Sequence, residues 1–323
     1  MKKTAKKIKK RFKPISTKGI KTYSLKTRKS KVKVDDLAGL PEKGGSFAGF
    51  LDTLPNILAA SDLKAVIAEV VRAHNDGKTV VLGMGAHVIK VGLAPLVIDL
   101  MRRGVISAVA MNGAGIVHDF ELAYLGNTSE DVDKELCSGN FGMAEETGKI
   151  INNAIKKGAK QKLGLGESVG EVIEKSRYPY KDLSILAAGV RYGVPVTVHV
   201  AIGTDIVHIH PSMDGEATGK TSLHDFKVFS SVVSTLEEGV FINLGSAVII
   251  PEILLKAITL TRNLGCKVKK ITTVNMDFIQ HYRPSTNVVR RPTMNGGKGY
   301  SLTGHHEIMF PLLYAGIIEG LKE

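Results

Sequence analysis

The chain has 323 residues, 43% of them hydrophobic, with 34 glycines and only two cysteines, Cys137 and Cys266. That length supports one large buried core, and two cysteines exclude a disulfide framework, so a reducing cytoplasm is the expected compartment. The formal charge of +13 is localised: residues 1–33 hold 15 Lys/Arg and no acid, leaving 29 bases against 31 acids in the rest.

Residues 1–40 therefore read as a basic, mostly disordered tail, and residues 41–323 as a single α/β domain. The tail is suited to contact nucleic acid or another anionic surface, or to act as a solubilising or autoinhibitory arm. No apolar core follows its lysines, unlike a secretory signal. The longest apolar stretch, Ser246 to Leu260, is interrupted by Pro251, Glu252 and Lys256, so no membrane span is expected.

Past Gly44–Gly45, residues Phe47 to Ala73 have helical spacing and stop at the turn signal His74-Asn75-Asp76-Gly77. Thr79 to Gly83 is a short β-branched run of the kind that forms buried parallel strands. Residues 88–103 return to helical spacing, and Val105 to Met111 form a second strand. The alternation recurs as helix 182–192, strand 195–201, helix 226–238, strand 240–244, helix 251–264, strand 268–275 and helix 305–321. Between the last two, Asn287 to Gly304 reads as a long polar, glycine-rich loop. Alternating strands and helices imply a Rossmann-like parallel sheet covered on both faces.

Ligands of such sheets bind beyond the carboxyl ends of the strands. Gly83-Met84-Gly85-Ala86-His87 and Gly113-Ala114-Gly115 follow two strands, and Gly245-Ser246 and Asn275-Met276-Asp277 follow two others. Glycine turns there let backbone amides approach a diphosphate, although neither pair completes G-x-G-x-x-G and each is also explained by a tight turn. Asp119 is placed to accept ribose hydroxyls or to cap a helix. Histidines His87, His118, His208, His210, His305 and His306 fall near these turns. On a strand His208 and His210 would face one side and could share a metal with His118 or Asp205, but hydrogen-bonded histidines beside a cleft are the commoner outcome, and no metal is assigned.

Together these segments resemble the deoxyhypusine synthase family. The carrying stretches are Val80 to Gly126, Tyr192 to Pro211, Gly239 to Asp277, and the GGKG and HHEIMFPLLYAG segments near the end. The resemblance implies a homotetramer that binds NAD. It also implies transfer of an aminobutyl group from spermidine, by way of an enzyme lysine, to a lysine of a translation factor. A relative of that reaction hands the group to a free amine, giving homospermidine; a third possibility is a nucleotide-binding protein of this fold that has lost the reaction. On the transferase reading Lys298 is the nucleophile, and Asp205, His208 and His210 line the polyamine site. Gly83, Gly85, Gly113, Ala114, Gly115, Asp119, Gly245, Ser246, Asn275 and Met276 then form the cofactor wall.

The chain departs from the family on the substrate side. Where the family has a histidine base this chain has Ile250-Pro251-Glu252, and Glu252 would serve only with its pKa raised toward neutrality. An acidic loop is replaced by Gln280 to Pro284 with Arg290 and Arg291 following, and there is no tryptophan at all. A different amine, or an anionic substrate drawn by Arg283, Arg290 and Arg291, is consistent with those changes.

Overall fold

The computed structural model describes residues 12–322; the first eleven residues of the basic tail lie outside them. Residues 12–46 run along the surface with two short 3-10 turns, Leu25–Thr27 and Val34–Asp36. The chain then enters α1 (Phe47–Thr53) and α2 (Leu58–Asn75). Helical spacing alone makes these one helix. Pro55 and the left-handed Leu58, at φ +52°, divide them, because proline cannot donate to the preceding turn.

Six strands follow: β1 (Val80–Met84), β2 (Ala108–Asn112), β3 (Val196–His199), β4 (Val240–Leu244), β5 (Thr272–Asp277) and β6 (Lys298–Thr303). They form one all-parallel sheet in the order β3-β2-β1-β4-β5-β6. Between β1 and β2 stand α3 (His87–Lys90) and α4 (Ala94–Arg102), separated by Gly92 at φ +80°. Between β2 and β3 come α5 (Gly113–Leu125), α6 (Val132–Ser138), α7 (Glu145–Gln161), α8 (Leu165–Lys175) and α9 (Ile185–Tyr192). Helix α10 (Gly215–Ser234) precedes β4, α11 (Ile249–Asn263) precedes β5, and a final helix spans His306–Gly320.

Strand alternation divides the core. Val80, Leu82, Met84, Val109, Met111, Val240, Ile242 and Leu244 join one apolar cluster, which includes side chains of α2, α4, α5 and the last helix. Their neighbours Val81, Ala108, Ala110 and Phe241 point the other way, onto Phe229, Val233, Leu254 and Ile258 of α10 and α11. Near-continuous apolar strands are what a doubly covered parallel sheet needs.

The edge strand β3 is closed by side chains: Asp225 Oδ2 accepts from Val198 N at 2.8 Å and from Gly166 N at 2.9 Å, and Ser222 Oγ accepts from Val200 N. These bonds leave little of that edge open for another strand. At the opposite edge, the segment read as a long loop is instead a π-helical turn, Ser285–Arg290, followed by β6. Pairing with β5 supplies the order that the glycine-rich composition concealed. No helix among the described residues is long and apolar enough to cross a membrane.

Candidate functional site

Strand order reverses between β1 and β4, the position at which sheets of this kind bind ligands, and the turns leaving these two strands lie side by side. Gly85 N donates to Leu244 O at 2.9 Å and Gly245 N to Met276 O at 3.0 Å, so each turn is tied to the next strand of the sheet. A Cβ on Gly85 would lie 2.3 Å from Gly245 O, and one on Gly83 would lie 2.5 Å from the Ile250 side chain. Both glycines are thus explained by packing within the protein. Gly245 is the turn that requires glycine on backbone grounds, at φ +68°, with His306 directly beside it. Beyond it, the amides of Ala247, Val248 and Ile249 meet no acceptor among the described residues, and those of Ala86 and His87 in the neighbouring turn are likewise open. Open amides at the start of α11, a 15-residue helix, are what an anionic group requires.

Asn275 and Met276, expected on the cofactor wall, are buried. Asn243 Nδ2 donates to Asn275 Oδ1 and to Ser246 O, while Asn275 Nδ2 donates to Gln280 Oε1. This buried amide chain holds the Gly245 turn from beneath. Ser246 is also buried, its Oγ accepting from Ile250 N at 3.3 Å. Over the turn lie Phe278, His87, His305 and His306, with the Phe278 and His305 rings stacked at 6.1 Å.

The turn after β2 is different. Asn112 Oδ1 accepts from Gly115 N, and the Asp205 carboxylate accepts from Ala114 N. A Cβ on Gly113 would fall 2.0 Å from Asp205 Oδ2, and one on Gly115 2.8 Å from Met111 Sδ. The start of α5 is therefore already occupied by the protein's own acceptors, and Gly113, Ala114 and Gly115 do not present a free cradle. Asp119 is likewise removed from a ribose-binding role. It is 1% exposed and accepts from Ser184 Oγ, Ile185 N and Leu186 N, capping α9 from inside the core. Burial pushes its carboxyl up to about 6 despite those donors.

Asp205 lines a cavity of about 220 Å³ together with Lys90, Ala114, His118, Glu121 and Glu130. Burial also pushes the Asp205 carboxyl up to about 6, and its Oδ2 has no hydrogen-bond partner. His208 and His210 do not share a face, because Ile206–Ile209 is a 3-10 turn and not a strand. His208 Nδ1 accepts from Gly203 N and Asp205 N, whereas His210 Nε2 lies 2.7 Å from Gly142 O. Among the described residues no group of three His, Cys, Asp or Glu is placed to hold a metal.

Two assigned catalytic residues lie elsewhere or in the wrong state. Lys298 opens β6, level with Thr272 at the amino end of β5, whereas the turns described above follow the carboxyl ends. The length of a six-residue strand, roughly 15–20 Å, separates the two ends. Its Nζ is 2.6 Å from Glu69 Oε1, and that hydrogen bond raises the lysine's pKa, opposite to what a nucleophilic amine needs. Glu252 lies in the first turn of α11, bound to Lys256, accepting from Asn287 Nδ2 at 2.9 Å and 3.5 Å from Arg283 Nε. Its hydrogen bond with Lys256, aided by the charges of Lys256, Arg283 and Arg291, lowers its pKa, so it lacks the elevated pKa a base here requires. The spacing Ala114, His118, Glu121 marks one face of α5 and was the available sequence signal for the cavity wall. Lys90 and Glu130 had none.

No protein-family model and no curated protein sequence matches the chain. Solved structures do share its fold. A "putative deoxyhypusine synthase" from Entamoeba histolytica superposes with a TM-score of 0.55 at 12% identity, over 87% of this chain and 96% of that one. A "conserved putative LOR/SDH protein" from Methanococcus maripaludis gives 0.51 at 17%, over 81% and 70%. A cyanobacterial arginine dihydrolase of the ornithine–ammonia cycle also gives 0.51 at 17%, over 81% of this chain, which spans only 33% of that protein. These similarities establish a shared α/β Rossmann-like fold.

Proposed function

We propose that the protein is an NAD-dependent enzyme acting on a small amine. The observation that carries this is the pair of adjacent turns with open amides, Ala86–His87 and Ala247–Ile249, at the β1/β4 switch in strand order. The amides and the start of α11 would hold the diphosphate, with Phe278 and the histidines beside it. When bound, NAD supplies a hydride acceptor and donor. Asp205, in the cavity that Lys90 of α3 also lines, supplies the negative charge for an amine.

Aminobutyl transfer is the narrower form of this proposal, supported by the sequence resemblance and by the fold shared with the Entamoeba protein. The position of Lys298 favours direct capture of the oxidised amine by a second free amine over an enzyme-lysine intermediate formed at that residue. NADH fluorescence titration tests the cofactor, and Gly245→Val should weaken binding at least about tenfold, a change of roughly 1.4 kcal/mol. Assays with labelled spermidine and putrescine test the chemistry. Lys298→Ala should retain NAD binding and turnover; a folded Lys298→Ala protein without turnover would return that lysine to the mechanism.

A further inference from the structure

Helix α6 has seven residues and no buried side chain. Val132 and Leu136, one turn apart on the same face, are 44% and 64% exposed, and Met143 beyond the helix is 43% exposed. A helix this short is marginal in water by itself, so an uncovered apolar face on it calls for a partner. The surrounding sequence is acidic: residues 130–146 hold six Asp/Glu and one lysine. Among the described residues only Glu145 of the six is in an ion pair, with Lys149.

The basic segment is uncovered in the same way. Every residue from Lys13 to Val34 is exposed, and residues 13–33 carry eight Lys/Arg and no acid. No hydrogen bond or ion pair joins residues 13–33 to anything beyond Asp36 among the described residues. The chain is fastened to the body at Asp36 and Gly39, where Asn56 N donates to Asp36 O and Gly39 N to Thr53 O. Single aliphatic side chains, Ile15, Ile20, Leu25 and Val32, stand exposed between the cations.

We propose that this segment of one chain docks on the α6 face of a second copy, its cations against the acids of residues 130–146 and its aliphatic side chains against Val132, Leu136 and Met143. The two surfaces are opposite in charge and each leaves apolar side chains in water, so a chain that carries both is complementary to itself. A twofold exchange covers both segments and both helices at once. Twenty residues of extended chain span up to roughly 65–70 Å, enough to cross to a neighbour. A nucleic-acid backbone would neutralise the same cations, but it would leave the four aliphatic side chains in water and α6 uncovered. The turns assigned to NAD take no part in this contact.

Charge reversal on each side provides the test. One full-length variant carries Lys26→Glu, Arg28→Glu and Lys29→Glu, the other carries Asp133→Lys, Glu135→Lys and Glu146→Lys, and sedimentation velocity measures their association. Each variant alone should self-associate at least about tenfold more weakly than wild type. An equimolar mixture of the two should regain wild-type association, because each segment then meets an α6 face of opposite charge. Circular dichroism checks that the substituted chains are folded, and a chain lacking residues 1–33 should match the first variant. Unchanged association in either reversal variant, or a mixture that does not recover, overturns the proposal; the second result is what docking within one chain predicts. Loss of binding to labelled oligouridylate or to phosphatidylserine vesicles in the first variant, with self-association unchanged, would assign the segment to RNA or to a membrane instead.

Discussion

Asp119 lies within helix α5 and Asp205 lies against its first residue, and burial raises each to about 6, yet their surroundings assign them opposite roles. Asp119 is enclosed by a hydroxyl and two backbone N–H groups that fix α9. Asp205 accepts from Ala114 N but leaves Oδ2 without a partner, beside a cavity. A raised carboxyl pKa therefore does not by itself identify a functional acid. The inventory of donors around each oxygen separates a fully satisfied structural cap from a buried carboxylate with an unpaired oxygen.

The sharpest way to break this comparison is Asp119→Ala. It leaves three donors in the core without an acceptor, and at about 1–3 kcal/mol for each unsatisfied group the loss should be several kcal/mol. Urea unfolding followed by circular dichroism checks it; a loss under about 1 kcal/mol would contradict the capping role.

The next effect is in pH dependence. Because the folded-state pKa of Asp119 lies above its ordinary value of 3.8, its contribution is greatest below pH 3.8 and declines as pH rises through about 6. The full change is on the order of 3 kcal/mol. Comparing the pH profiles of wild type and Asp119→Asn by urea unfolding should show that component disappearing in the variant.

Gly113→Ala should cost about 1–3 kcal/mol, since its Cβ would collide with Asp205. Asp205→Gly should recover much of that loss in a double-mutant cycle. Additive losses would mean that the two residues do not press on each other. The smallest effect is expected at Lys298: the lysine side chain is 62% exposed, so Lys298→Met should change stability by less than about 1 kcal/mol in thermal unfolding.

Much of the architecture was legible in the chain. Short β-branched runs separated by helical spacing identify the parallel sheet, and strand 240–244 falls where its pattern places it. The helices α6, α7 and α8 were not read from the pattern. β6 was hidden because KGYSLT is largely exposed and acquires its order from pairing with β5. The glycines were visible as special positions, but their reasons were not: Gly83 yields to Ile250 and Phe241, Gly85 to the Gly245 carbonyl, and Gly113 to Asp205.

The sequence by itself determined the fold class, the positions of the strand-end turns and the localisation of the basic charge, because each depends on local periodicity or composition. Only the tertiary structure decided which turn keeps its amides free, which aspartate is enclosed, and that Lys298 stands at the far end of the sheet. Those outcomes depend on neighbours tens of residues away in the chain, such as Ser184 over Asp119 and Asp205 over Gly113. Residue type and spacing along the chain do not encode such meetings.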